Sequence, residues 1–223
     1  MRIIAASVVL STATVLYAAP AGGAPVGCGS LGGVVADGSC HVTENQPDFT
    51  VDAEFPLDYP DEQTIVDYLS QTRDGMVNAA QGPGARNLPY EMNVTSESFR
   101  SAQTRSVVLT LFENVGSAHP TTWYKAFTYD VGRGKPVTFD SLFDPGAAPL
   151  QTIFPLVQRE LETRTGLAGS ISVDDGMDPA HYQNFAITDD AVTFYFGRAE
   201  LLPSYAGATS VSIPRTAIPP LAL

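Results

Sequence analysis

The chain holds three histidines, and His119 is the one whose neighbours could support hydrolytic chemistry. It sits in "GSAHPTTWYKAFTYD" (116–130), two residues after Ser117, at a turn between two strand-like runs. An imidazole base activates a hydroxyl only from within hydrogen-bond reach, and a carboxylate must orient the ring from its other side. Ser117 and Ser141 are the hydroxyls, and Asp140 the carboxylate, that a fold could gather around His119 into a serine-type constellation. The competing reading is structural. Placed before Pro120, His119 is biased toward extended backbone, and a ring nitrogen could bond across the turn to fix how the strands meet. Downstream, Trp123, Tyr124, Phe127 and Tyr129 read mainly as sheet packing, and an exposed subset of them would form a recognition face.

Other chemistries find less support. G-x-S-x-G occurs nowhere, so no nucleophile elbow is expected. His41, His119 and His181 are far apart, H-E-x-x-H is missing, and "DDGMD" (174–178) lacks the length of a calcium loop, so no metal is expected. "GRGK" lacks the pattern of a phosphate loop, and no cofactor is expected. Nothing in the carboxylate spacing singles out a glycosidase pair.

The elements that must position these residues lie in an acidic, exported chain. With 24 acidic residues against 12 basic ones and a formal net charge of −12, it repels phosphate backbones and anionic membranes, which excludes nucleic acid as a partner and favours a cationic one. Arg2, the apolar run that follows and "PAGGAP" have the order of a secretory signal peptide, expected over residues 1–24. No later segment is apolar enough to span a bilayer, so the mature form is expected outside the cell or at the cell wall, without a transmembrane anchor. There Cys28 and Cys40 should form a disulfide that pins residues 25–45, worth roughly 3 kcal/mol by loop closure. "NVT" at 93 matches a glycosylation sequon, read as incidental in its strand context.

Alternation at Phe49, Val51, Ala53 and Phe55 predicts a strand. Helical spacing from Ile65 to Ala80 predicts a helix of about five turns with Asp61 at its N-cap. "RSVVLTLFENV" predicts a central strand, and the aromatic strand follows it. On that strand Trp123, Lys125, Phe127 and Tyr129 point one way and Tyr124, Ala126 and Thr128 the other. "DVGRGKP" should turn into a short strand at "VTF". A second helix should cover much of 148–165, kinked at Pro155 or starting near Phe154, with Gly166 at its end. "FAITDDAVTFYF" predicts a hairpin and "SVSIP" a last strand. Strands interrupted by two helices predict a monomeric α+β domain over 46–223, a largely antiparallel twisted sheet with both helices packed on it.

The segments "YPDEQTIVDYLSQTRDGMV", "PYEMNVTSESFRS", "GSAHPTTWYKAFTYD", "HYQNFAITDDAVTFYF" and "ELLPSYAG" carry a resemblance over nearly the whole mature chain. It resembles the secreted mycobacterial antigens of the "MPT sixty-four" type and, more broadly, the extracellular C-terminal domain of RsiV, a lysozyme-sensing anti-sigma factor. The resemblance implies an α+β fold and an extracellular binding role, with lysozyme as a candidate cationic partner. It is nearest a branch described as secreted esterases, which implies short acyl esters as the alternative ligand class. RsiV's transmembrane and cytoplasmic segments have no counterpart in this sequence.

Overall fold

The computed structural model describes residues 26–117 and 119–223; the leader expected over 1–24 lies outside the described residues. The predicted alternation produces β3 (Phe49–Pro56), with Phe49, Val51, Ala53 and Phe55 buried. It pairs antiparallel with β2 (Ser39–Asn45), which itself pairs with the short β1 (Val34–Ala36). Its other neighbour, β4 (Tyr90–Arg100), runs parallel to it. Parallel neighbours need a long crossover, and the helix between them, α2 (Glu62–Ala80), is that crossover. Antiparallel pairing then adds β5 (Thr104–Asn114), β6 (Thr121–Asp130) and β7 (Lys135–Pro136), giving seven strands in sequence order.

One stripe of α2, Ile65, Val66, Leu69, Met76 and Ala80, packs on one face of this sheet against Val42, Val51, Met92 and Leu109. Asp61 stands at the N-cap position without capping: its carboxylate accepts the Thr64 hydroxyl at 2.7 Å rather than a backbone N–H. The predicted disulfide joins Cys28, in α1 (Val26–Ser30), to Cys40 of β2. Gly33 lies so close to both sulfurs that any side chain there would collide with them.

The remaining chain forms α3 (Phe139–Leu142), α4 (Leu150–Thr165), α5 (Val173–Gly176), β8 (Phe185–Ile187), β9 (Ala191–Phe196) and β10 (Thr209–Pro214). The last three make a separate sheet in the order β10-β9-β8, the hairpin turning at Asp189 and Asp190 as predicted. α4 begins four residues before Phe154 and runs through Pro155. Proline removes one helix hydrogen bond, but Gln151 and Pro155 both lie on the exposed face, where water can satisfy the freed carbonyl. The "VTF" strand is cut short for a different reason. Val137 N–H still donates to the Thr128 carbonyl at 2.8 Å, after which Thr138 starts α3 and Phe139 turns into the core.

The fold is therefore α+β and largely antiparallel, but divided into two sheets, each with one long helix. The small sheet is held between α4 and the large one: Phe185, Ile187, Val192 and Phe194 pack with α4, while Ala186 and Tyr195 meet Val108 and Ala126 on the back of β5 and β6. Thr128 Oγ1 ties the sheets by donating to the Phe185 carbonyl at 3.0 Å, with the Ser106 hydroxyl of the neighbouring strand 2.9 Å away. Three short strands cannot cover seven: they reach the end of β4, where Phe99 packs against Tyr195, and leave the back of β2, β3 and the first half of β4 open.

Candidate functional site

The turn before β6 is built by residues other than His119. Gly116 has φ 68°, a left-handed conformation that favours glycine, and a side chain there would strike the Arg86 carbonyl. Asn87 Nδ2 donates to the Gly116 carbonyl at 2.8 Å and Asn114 Oδ1 accepts the Gly116 N–H at 3.2 Å, so these two side chains pin the turn. His119 is exposed, and no hydrogen bond of its ring is found among the described residues. The Ser117 hydroxyl donates to the His119 backbone carbonyl at 3.0 Å.

Ser141 and Asp140 are at the other end of the strand. Val137 follows β7 along the C-terminal half of β6, so the run from Thr121 to Thr128 separates the two groups, about 20 Å at strand rise. The Ser141 hydroxyl is engaged in capping α3, accepting from the Thr138 N–H at 3.0 Å and donating to the Thr138 carbonyl at 3.1 Å. Asp140 is exposed in the same turn. The fold brings Ser117 to His119 and leaves Ser141 and Asp140 apart from them.

The aromatic residues of β6 divide between the sheet's two faces, as the alternation predicts. Phe127 is buried under α2, and Trp123 and Tyr129 pack half-buried beside it. Trp123 Nε1 donates to the Tyr68 hydroxyl of α2 at 2.8 Å, and Tyr129 sets its edge against Tyr59. Tyr124, on the back, lies 5.2 Å from Tyr195 between ring centroids. Burial first, and the Glu97 carboxylate second, push both of those hydroxyls up from their ordinary pKa. The set is mainly packing, but a cleft of about 450 Å³ opens between α2 and β6, with Phe127, Tyr68 and Lys125 among its walls.

Two further arrangements were not apparent in the sequence. The first is the open back of β2, β3 and β4. Directly paired residues share a face, so His41, Thr43, Thr50, Asp52, Glu54, Glu91 and Asn93 share it with Thr95 and Glu97. Asp52, Glu54 and Glu97 are exposed and Glu91 is half-buried; these three strands place no lysine or arginine there. Each carboxylate stands opposite an uncharged side chain or His41, whose Nδ1 is 4.0 Å from Glu54. The second is a histidine–carboxylate pair, His181 Nδ1 at 3.5 Å from Glu200 Oε1. Glu200 Oε2 also accepts the Gly197 N–H at 2.6 Å. Burial dominates and raises the Glu200 pKa, against the opposing pull of Gly197 and His181. The partners are brought together by the β8–β9 hairpin, and no sequence spacing signals such a pair. Among the described residues, no three potential ligands converge on a metal position.

Comparison with known proteins adds three findings. Residues 140–216 match the family described as "Protein of unknown function (DUF3298)", a span that takes in α4 and the small sheet. Over 228 residues, all of both chains, the sequence is 53% identical to a Mycobacterium tuberculosis protein named "Esterase Rv3036c". Over 195 residues, 86% of each, it is 42% identical to "Immunogenic protein MPB64" of Mycobacterium bovis. The fold is similar to that of a crystal structure of a DUF3298 family protein from Pseudomonas aeruginosa, with TM-score 0.57 and 14% identity over 81% of this chain and 93% of that one.

Proposed function

The chain belongs to the mycobacterial family of the immunogenic proteins MPB64 and MPT64, and from that premise we propose that it works outside the cell as a binding module for a cationic protein. The observation that carries this reading is the back of β2, β3 and β4, where Asp52, Glu54, Glu91 and Glu97 lie on one sheet face to which these three strands contribute no lysine or arginine. Such a face attracts positive charge over a Debye length and orients a cationic partner before contact. An open sheet face suits a protein surface better than a small molecule. The buried Cys28–Cys40 disulfide supports the oxidising location. Lysozyme is the test partner. It should bind at low salt and weaken by about tenfold or more as salt rises to screening concentrations. Combining Asp52→Asn, Glu54→Gln, Glu91→Gln and Glu97→Gln should remove most of that attraction while leaving the fold intact, since none of the four is in the core. Undetectable binding of the wild type at low salt would end this reading.

A second reading, a carboxylesterase of short acyl esters, is favoured by the name of the full-length relative. In it His119 is the base and Ser117 the nucleophile, whose hydroxyl must turn from the His119 carbonyl to the imidazole. Turnover of a chromogenic short-chain ester that falls by about a hundredfold in folded His119→Ala supports that assignment. Turnover that survives His119→Ala but is lost in His181→Ala moves the base to the His181–Glu200 pair, and no turnover in the wild type removes the reading.

A further inference from the structure

We infer that the cleft between α2 and β6 binds a small carboxylate that also carries hydroxyl groups, a sugar acid by class, with Lys125 as its anchor. Its volume, about 450 Å³, falls within the roughly 300–1,000 Å³ of small-ligand sites. The Lys125 ammonium lies 5.5 Å from the Tyr68 ring centroid and 5.4 Å from that of Phe127. Cation–π attraction holds the ammonium in place without neutralising it. In a chain with twice as many acids as bases, Lys125 nevertheless takes part in no ion pair among the described residues. An unpaired ammonium held against aromatic rings in a walled cleft is a ready partner for one carboxylate.

The other walls restrict what that carboxylate can belong to. Asp61 and Asp67 line the same cleft. One oxygen of Asp61 accepts the Thr64 hydroxyl and one of Asp67 accepts the Gln63 amide, each at 2.7 Å, which leaves their second oxygens to accept from a ligand. Two carboxylates repel a dianion such as phosphate more than a monoanion and accept hydroxyl donors, so the ligand's charge must be one carboxylate held at Lys125 and the groups that face Asp61 and Asp67 must be hydroxyls. An α-amino acid fits worse, because its ammonium is attached beside its carboxylate and would be carried toward Lys125. Gln71 and Gln183 supply amides that both donate and accept, matching hydroxyls on either side. The Tyr68 hydroxyl already accepts from Trp123, so its own proton is available to a ligand oxygen.

The test is a titration of the full disulfide-bonded chain, labelled with nitrogen-15, with D-glucuronate, D-glucose and acetate, read from amide shifts. Glucuronate should saturate, moving Thr64, Gln71, Lys125 and Thr138, while glucose without a carboxylate and acetate without hydroxyls bind about tenfold or more weakly. Lys125→Met keeps an apolar stem over the rings and should reduce glucuronate binding to the level of glucose. Asp67→Asn lies on an exposed helix position, leaves the core untouched, and should weaken glucuronate severalfold. Absence of a saturable glucuronate shift, shifts centred elsewhere, equal binding of the three probes, or unchanged glucuronate affinity in either folded variant would each overturn the inference. The site shares no residue with the acidic sheet face, so its failure leaves the lysozyme test unaffected.

Discussion

Two sheets of very different size meet at Val108, Ala126, Ala186 and Tyr195, and they use their faces differently. The small sheet is enclosed on both sides: β8 is buried at all three positions, and Phe185, Ile187, Val192, Phe194 and Phe196 form one aromatic and aliphatic core with α4. Every position of β8 touches packing, and exposed side chains are confined to Ser212 and Pro214 on the edge strand β10. The large sheet spends one face on α2 and is only half covered on the other, so β3 and the first half of β4 alternate apolar and polar side chains. A region whose faces are both covered encodes stability in its side chains, whereas a region with one face open encodes stability on one side and recognition on the other. The DUF3298 match spans the enclosed region, while the acidic face and most of the cleft lining lie outside that span.

The largest effect should come from the enclosed side. Phe194 is fully buried and packs edge-on to Phe139 and Tyr182, at 6.1 Å and 5.5 Å between ring centroids. Phe194→Ala should lose about 3–5 kcal/mol in denaturant unfolding. A loss under about 1 kcal/mol would mean that this core is loosely packed and that the contrast between the two sheets fails. On the large sheet, removing the disulfide with Cys28→Ala and Cys40→Ala should cost about 3 kcal/mol by loop closure. Because the β2 to β3 ladder remains, lysozyme binding should be retained in the variant at temperatures where it stays folded. Loss of binding by a folded variant would show that the disulfide shapes the face instead of only stabilising it.

What the sequence disclosed follows the same division. Period-two alternation identified β3 and β6, helical spacing identified α2, and Gly166 marked the end of α4 with φ 73°, because each is a local signal. Cys28 and Cys40 were readable as a bridge because few alternatives exist for two cysteines. The separation of β8, β9 and β10 into their own sheet was not readable, since a hairpin looks alike whether it extends a sheet or packs behind it. That one fact decides which strand backs remain open, so the acidic face was hidden along with it. The side of β6 that holds Lys125 was legible from alternation, but its meeting with Tyr68 depends on how α2 lies across the sheet. Ser141 was grouped with His119 for its residue type and for its place beside Asp140, and the length of β6 parts them.

The smallest effect concerns the seam between the two regions, where Gly197 lies against Trp123 of β6 and donates its N–H to Glu200. Burial gives the Glu200 carboxyl a higher pKa in the folded protein than in the unfolded chain. The folded state therefore holds this proton more tightly, and the group favours folding most below the unfolded pKa of about 4.3. As pH rises from there through the raised folded value, the unfolded chain ionises first and the contribution is lost. Glu200→Gln keeps an oxygen to accept the Gly197 N–H and removes the titration. Compared with the wild type, the variant should gain relative stability as pH rises through that window and show a constant difference above it. The check is a series of urea unfolding curves between about pH 4 and pH 7. A difference independent of pH would mean that the His181 contact compensates burial fully, and a difference of the opposite slope would mean that it dominates. In that last case the pair would join the two regions as an ion pair, and His181→Ala should then carry the larger loss near the acidic end of the range.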